Sequence, residues 1–351
     1  RIGPQRDRLG VLLSVIDRLV EQRLDAKHRA RMLEPGSRER HMLEALSAAM
    51  KLVVNSAYGY LGAVGLTRFA DVHAANEVTR RGRELLDLLC RELAGRGVTL
   101  LEADTDGVYF AVPESFREPE ERALVAEVAA LLPPHVHLEF DGRYAAMLSH
   151  EPKNYALLSY AGSVILRGVA FRSSRHEAYG QAFLRRAVHS LLRGDVASVR
   201  QAYVEQVVAL RHRHVPTRDV SARVRLTKTP AEYLATRSRR RELPYEALLE
   251  SGSAEWNVGD RIDVYHARGG RAALCPETDD EPSGVDAPAA DPRDYDVAYY
   301  LRLLRATFAA RLVRALEPRD FDAVIADPEQ PSLFEHDLAN AKPILSIVAA
   351  P

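Results

Sequence analysis

The stretch VTLLEADTDGVYFAV, Val98 to Val112, decides how the chain is read. Two short β-prone runs, Val98 to Leu101 and Val108 to Val112, flank a tight acidic turn holding Asp104, Thr105, Asp106 and Gly107. Apolar and β-branched residues on both sides of an Asp-Gly step predict a β-hairpin. Residues i and i+2 of a strand share a face, so both carboxylates can point at one spot. Such a pair is costly unless it is solvated or neutralised, and a divalent cation is the obvious neutraliser. Asp-Gly is also the commonest chemistry of a plain solvent-facing turn, and this stretch alone leaves both readings open.

The 351 residues suffice for two or three domains with their own cores. A hydrophobic share of 46% and a charged share of 28% are those of an ordinary soluble globular protein. There is no run of about 18 apolar residues and no basic-then-apolar leader, so neither a membrane span nor an export signal is expected. Cys90 and Cys275 are the only cysteines, which excludes a disulfide framework or zinc knuckle and makes a reducing compartment the default. A net charge of −1 argues against indiscriminate coating of nucleic acid, though not against a local basic groove. Lysine occurs only at Lys27, Lys51, Lys153, Lys228 and Lys342, with arginine supplying the rest of the 48 basic residues. Lysine offers a compact point charge where arginine offers a planar fork.

Upstream of the hairpin, Leu9 to about Met32 has helical period, with Val11, Leu12, Val15, Ile16, Leu19 and Val20 in a stripe. Glu34-Pro35-Gly36 breaks it, Ser37 can cap a second helix running to about Gly59, and the two make an antiparallel helical hairpin. On its second helix Lys51, Asn55 and Tyr58 share a face, with Asn55-Ser56 expected to be buried; on its first, Arg23 and Lys27 share one. Cations so placed can grip a polyphosphate, or simply make a solvated basic face. A third helix is expected from about Asp71 to Leu93 and another from Glu114 to Leu132. His137 to Tyr144, Tyr155 to Tyr160 and Ser163 to Leu166 read as further strands of the hairpin's own sheet. Helices at Arg175–Leu192, Asp195–Arg211 and Pro230–Arg240, strands near Val220–Leu226 and before Tyr265, and a long final helix Tyr295–Leu316 complete an α+β pattern. Pro276 to Pro292, acidic and Pro-rich, reads as a disordered loop.

These motifs align with one family. KLVVNSAYGYLG (Lys51 to Gly62) resembles the fingers motif of family B DNA polymerases, and EADTDGVYF (Glu102 to Phe110) resembles their palm Asp-Thr-Asp motif. ANEVTRRGRELL (Ala75 to Leu86) is similar to the family's palm helix, EPKNYALL (Glu151 to Leu158) to its Lys-x-Tyr motif, and RGVAFRSSR (Arg167 to Arg175) to its palm-to-thumb junction. TKTPAEYL, WNVGDRIDVY and DYDVAYYLRLL resemble thumb patterns, in the family's order. The resemblance implies helical-hairpin fingers (1–66), an incomplete antiparallel-sheet palm (67–166) and a mainly helical thumb (167–351) with an acidic Pro-rich loop at 276–292.

It also implies a chemistry: dNTPs are added to a primer 3′-hydroxyl by two-metal phosphoryl transfer with Mg²⁺, or Mn²⁺ as substitute. Asp106 would be the main metal ligand, with Asp104 assisting. Lys51, Arg23 and Lys27 would neutralise the triphosphate, and Asn55 and Tyr58 would line the nascent base-pair pocket. Lys153 and Tyr155 would hold the primer strand, Arg172 would stand at the palm-thumb junction, and Lys228 would touch duplex phosphates. The expected partners are primer-template DNA and dNTPs, with no membrane and with any sliding clamp or accessory protein not readable; the expected location is the cytoplasm or nucleoid, or a nucleus. Three departures stand out. Gly107 replaces the usual Ser, and Ser173-Ser174 follow Arg172 where the junction usually carries a basic pair and Asp. The palm motif bearing the second metal-binding Asp, which should precede the fingers, is absent, as is an exonuclease domain. The chain is therefore expected to be the C-terminal part of a polymerase, inactive alone. The alternative is a degenerate polymerase-like nucleic-acid-binding or scaffold protein without catalysis.

Overall fold

The computed structural model describes residues 6–68, 70–104, 107–134, 136–171, 177–276, 291–330 and 337–344. They form two compact units, each with its own packing. The first draws on the described residues within Arg1–Val98, Thr105–Gly107 and Ala126–His137, and the second on those within Thr99–Asp104, Val108–Val125 and Leu138–Pro351.

The first unit is helical. α1 (Arg6–Met32) and α2 (Arg38–Gly62) form the expected hairpin. Gly36, at φ +85°, makes the left-handed step in the turn between them, and the Ser37 side chain accepts the Arg40 N–H to cap α2. Ala26, Ala30 and Leu43 are the buried centre of the pair, with Leu33 packed against them. Small residues there let the helices approach closely. Asn55 and Ser56, expected inside, are both exposed. The Ser56 hydroxyl bonds back to the Leu52 carbonyl at 2.7 Å, so its polarity is satisfied on the helix surface. α3 (Val72–Ala94) starts at Asp71, whose carboxylate accepts the Ala74 N–H, and gives way at Gly95–Gly97.

The second unit opens with the hairpin β1 (Thr99–Asp104) and β2 (Gly107–Ala111), followed by α4 (Glu118–Ala129). β3 (Ala146–Glu151), β4 (Asn154–Leu158) and β5 (Val164–Arg167) form a separate antiparallel sheet in the order β3-β4-β5. Two expectations fail here. The hairpin and these strands do not share one sheet; side chains link them instead of a backbone ladder. His137 to Tyr144 is not a strand, although Leu138 and Phe140 alternate as strand residues do. Its side chains are clamped to α4: the Arg122 guanidinium lies 4.5 Å from the Phe140 ring centroid, and Arg143 forks onto Glu121 at 2.6 and 2.9 Å.

The main core follows. α5 (Ala178–Leu192) and α6 (Val196–Arg211), the latter capped by Asp195, pack Phe183, Leu184, Leu191, Tyr203 and Leu210 with Phe171 and Leu148. α7 (Thr217–Val220) leads into a second three-stranded antiparallel sheet, β6 (Ala222–Arg225), β7 (Arg261–His266) and β8 (Ala272–Leu274). Between β6 and β7 lie α8 (Pro230–Thr236) and α9 (Leu243–Glu250), around a satellite core of Leu226, Tyr233, Tyr245, Leu248 and Trp256. The expected long final helix begins as α10 (Val297–Leu303), widens into a π turn over Leu304–Phe308 and tightens to 3₁₀ over Ala309–Ala315. Burial explains the change of pitch. Tyr300, Leu304 and Phe308 recur every four residues and Ala309, Leu312 and Ala315 every three, all essentially inaccessible. A uniform 3.6-residue helix would rotate some of them out of the core. The Phe308 ring needs Gly180 opposite, where a Cβ would stand 2.2 Å from it. α11 (Pro318–Val324) follows. Among the described residues no helix is long and apolar enough to cross a membrane.

Candidate active site

The hairpin delivers Asp104 at the end of β1. Thr105 and Asp106 lie outside the described residues, as do Arg172, Ser173 and Ser174. The turn between β3 and β4 meets Asp104 from the other sheet: the Lys153 Nζ stands 3.2 Å from Asp104 Oδ1, with side chains 67% and 37% exposed. Two motifs 49 residues apart in sequence thus place an ammonium against a carboxylate that still has solvent access. Tyr155, two residues on at the start of β4, donates its hydroxyl to Tyr109 Oη at 3.2 Å, the rings 5.1 Å apart. Burial, followed by the Tyr155 hydroxyl, raises the Tyr109 pKa above the ordinary phenol range.

Glu102, not singled out from sequence, completes this corner. Its Oε1 accepts the Lys153 backbone N–H at 2.7 Å and its Oε2 accepts the Ser149 hydroxyl at 3.3 Å. The signal was available: Glu102 is two residues before Asp104 and shares its strand face. Asn154 also builds the turn, its Oδ1 accepting the Ala170 N–H at 2.8 Å and its Nδ2 donating to the Pro152 carbonyl at 3.1 Å.

On the first unit, Lys51, Asn55 and Tyr58 are exposed on one face of α2, and Arg23 and Lys27 are half-buried on α1. The hairpin thus keeps this polar set on two packed helices. Arg23 Nε is buried and makes no hydrogen bond among the described residues. In the second unit Lys228 is held on both sides. Its ammonium pairs with Glu242 Oε1 at 2.7 Å, its N–H donates to Tyr245 Oη at 3.0 Å, and its carbonyl accepts the Trp256 indole N–H at 2.9 Å.

Carboxylate oxygens of the Asp104 kind are the donors a hard divalent cation takes. Among the described residues no group of three or more acidic, His or Cys side chains stands together to hold one. Of the two aspartates the sequence offers for a cation, the described residues include Asp104.

The architecture is that of a known polymerase fold. The solved structure of the family B DNA polymerase from the hyperthermophilic archaeon Pyrobaculum calidifontis superposes with a TM-score of 0.58, covering 92% of this chain and 38% of that one at 21% identity. The sequence profile of DNA polymerase family B matches residues 3–314, and the chain belongs to that family. DNA polymerase 1 of Pyrococcus abyssi (strain GE5 / Orsay) is 34% identical over 167 residues, which are 47% of this chain and 21% of the relative. The DNA polymerase of Archaeoglobus fulgidus is 24% identical over 265 residues, 72% of this chain and 33% of the relative. The chain thus spans about a fifth to a third of the length of these curated relatives.

Proposed function

We propose that the chain carries the fingers (1–66), part of the palm (67–166) and the thumb (167–351) of a DNA-directed DNA polymerase that extends a primer 3′-hydroxyl with dNTPs. The observation that carries this reading is the meeting of Asp104 with Lys153 at 3.2 Å. It brings the acidic hairpin, where phosphoryl transfer would occur, against the Lys-x-Tyr turn that would hold the primer end. Asp106 and Asp104 would hold Mg²⁺, or Mn²⁺ in its place. Bound there, the ions would stabilise the attacking and leaving oxygens of an in-line displacement.

The chain's own residues have the remaining roles. Lys51, with Arg23 and Lys27, neutralises the triphosphate, and the exposed face of α2 presents Asn55 and Tyr58 to the nascent pair. Lys153 and Tyr155 hold the primer strand through its backbone, a sequence-tolerant contact. Arg172 and Lys228 extend that contact toward the duplex. The test is primer extension by the complete gene product with Mg²⁺ and dNTPs. Asp106→Ala is expected to lower incorporation at least about a thousandfold, the several kcal/mol a metal contributes to the transition state. Normal extension by that variant refutes the metal role. Duplex binding by the wild-type protein with no incorporation at all refutes the enzymatic reading.

A further inference from the structure

We propose that Glu102 is a positioning residue for the primer-holding lysine: its carboxylate latches the backbone of Lys153 into a left-handed turn that aims the ammonium at Asp104. The inference rests on the polymerase reading of the site. Glu151 pairs with Asn154, leaving Pro152 and Lys153 as the two central residues of the β3–β4 turn. Lys153 has φ +66°. Proline followed by positive φ is the type II pattern, in which glycine is the usual second residue because a side chain there is strained. A lysine held in this conformation must be fixed by its surroundings.

Three contacts fix it. Glu102 Oε1 takes the Lys153 N–H at 2.7 Å, a charge-assisted bond across 51 residues of sequence. Asn154 ties the turn to Pro152 and Ala170. Gly168, itself at φ +82°, lies so close beneath that a Cβ there would stand 2.1 Å from the Lys153 carbonyl oxygen. Glu102 and Asp104 project from the same face of β1, so one strand grips the lysine twice, once by its backbone and once by its side chain. The Lys153 side chain is 67% exposed, and without the backbone latch its flexible four-carbon stem would sample many positions.

The latch predicts a dependence of Glu102 on Lys153, tested with the complete gene product by fluorescence anisotropy on a primer-template and by single-nucleotide incorporation at saturating DNA. Glu102→Ala is expected to weaken primer-template binding about tenfold, the loss of one hydrogen bond to a charged group, with a smaller change in the incorporation rate. Lys153→Ala should weaken binding similarly, and Glu102→Ala added to it should cause no further loss. Glu102→Gln keeps an acceptor for the Lys153 N–H and should bind within about threefold of wild type, which keeps the test usable if the alanine variant folds poorly. Two results overturn the latch: a full additional loss when Glu102→Ala is placed in the Lys153→Ala background, or a Glu102→Gln defect as large as that of alanine. A wild-type protein that binds primer-template but incorporates nothing refutes the polymerase reading while leaving the binding cycle readable.

Discussion

At the scale of single residues, the corner around Lys153 depends on atoms that are absent as much as on those present. Gly168 has neither the φ freedom nor the space to become alanine, because its added Cβ would meet a backbone carbonyl rather than the end of a flexible side chain. Gly168→Ala must displace either its own strand end or the Lys153 turn, and is expected to destabilise that corner by about 2–4 kcal/mol. The Lys153 and Ala170 amides report on this directly, since they donate to Glu102 and Asn154. Their hydrogen exchange should accelerate in the variant while the α5 and α6 amides stay protected. Unchanged exchange at both amides would show that the turn does not need the glycine. Asp104 and Lys153 were legible in the sequence because each sits in a short motif. Gly168 was not, and for Glu102 the sequence offered only its place on the Asp104 strand face, because the contacts that give the two their importance lie 15 and 51 residues away in the chain.

Among elements, the early helices were readable because each combines an apolar stripe with an explicit start: Ser37, Asp71 and Asp195 all cap with their side chains. Periodicity failed where side chains, not ladders or uniform helical bonds, hold the backbone. That is the case for 137–144, clamped by Arg122 and Glu121, and for 304–315, whose pitch follows its burial pattern. The missed helix α9 is short, yet it supplies a buried carboxylate, Glu246. Glu246 accepts two bonds from Arg237, at 2.7 and 2.9 Å, and the Tyr233 hydroxyl. The Arg237 fork, opposed by burial and helped by Tyr233, lowers its pKa to about 2. An unfolded glutamate titrates near 4.3. The stabilisation is therefore fully present above about pH 5 and is lost as pH falls toward 2. Arg237 is 41% exposed, so the effect is discounted to about 1–2 kcal/mol. Glu246→Gln should lower the stability of this lobe by that amount at pH 7, and the difference from wild type should shrink as pH falls below about 5 and be nearly gone by about pH 2.5. Thermal unfolding followed by Trp256 fluorescence between pH 2.5 and 7 checks it, and a pH-independent difference would rule out the ion pair as its source.

For the whole molecule, 48 basic and 49 acidic residues leave no general field to attract DNA. Many arginines are already matched within the chain, as in Arg80 with Glu77 and Glu84, Arg143 with Glu121, and Arg211 with Asp327. On the proposed polymerase reading, DNA affinity would come from a few local cations, and its salt dependence should be shallow. If Lys153, Lys228, Arg172 and one or two neighbours contact phosphates as proposed, the slope of log K against log salt should be about −3.6 to −4.5. Lys228 tests this reading most sharply because it is already engaged: to meet a phosphate its ammonium would have to leave Glu242, 2.7 Å away. Removing the competing carboxylate with Glu242→Gln should therefore strengthen primer-template binding, by up to about fivefold, the worth of one partly exposed ion pair. Lys228→Ala should weaken binding and make the slope shallower by about one unit. Both are measured by anisotropy between about 50 and 200 mM salt, the range in which such slopes are read. If Lys228 serves only to brace the segment around α8 and α9, Glu242→Gln will cost stability and leave DNA affinity and slope where they were.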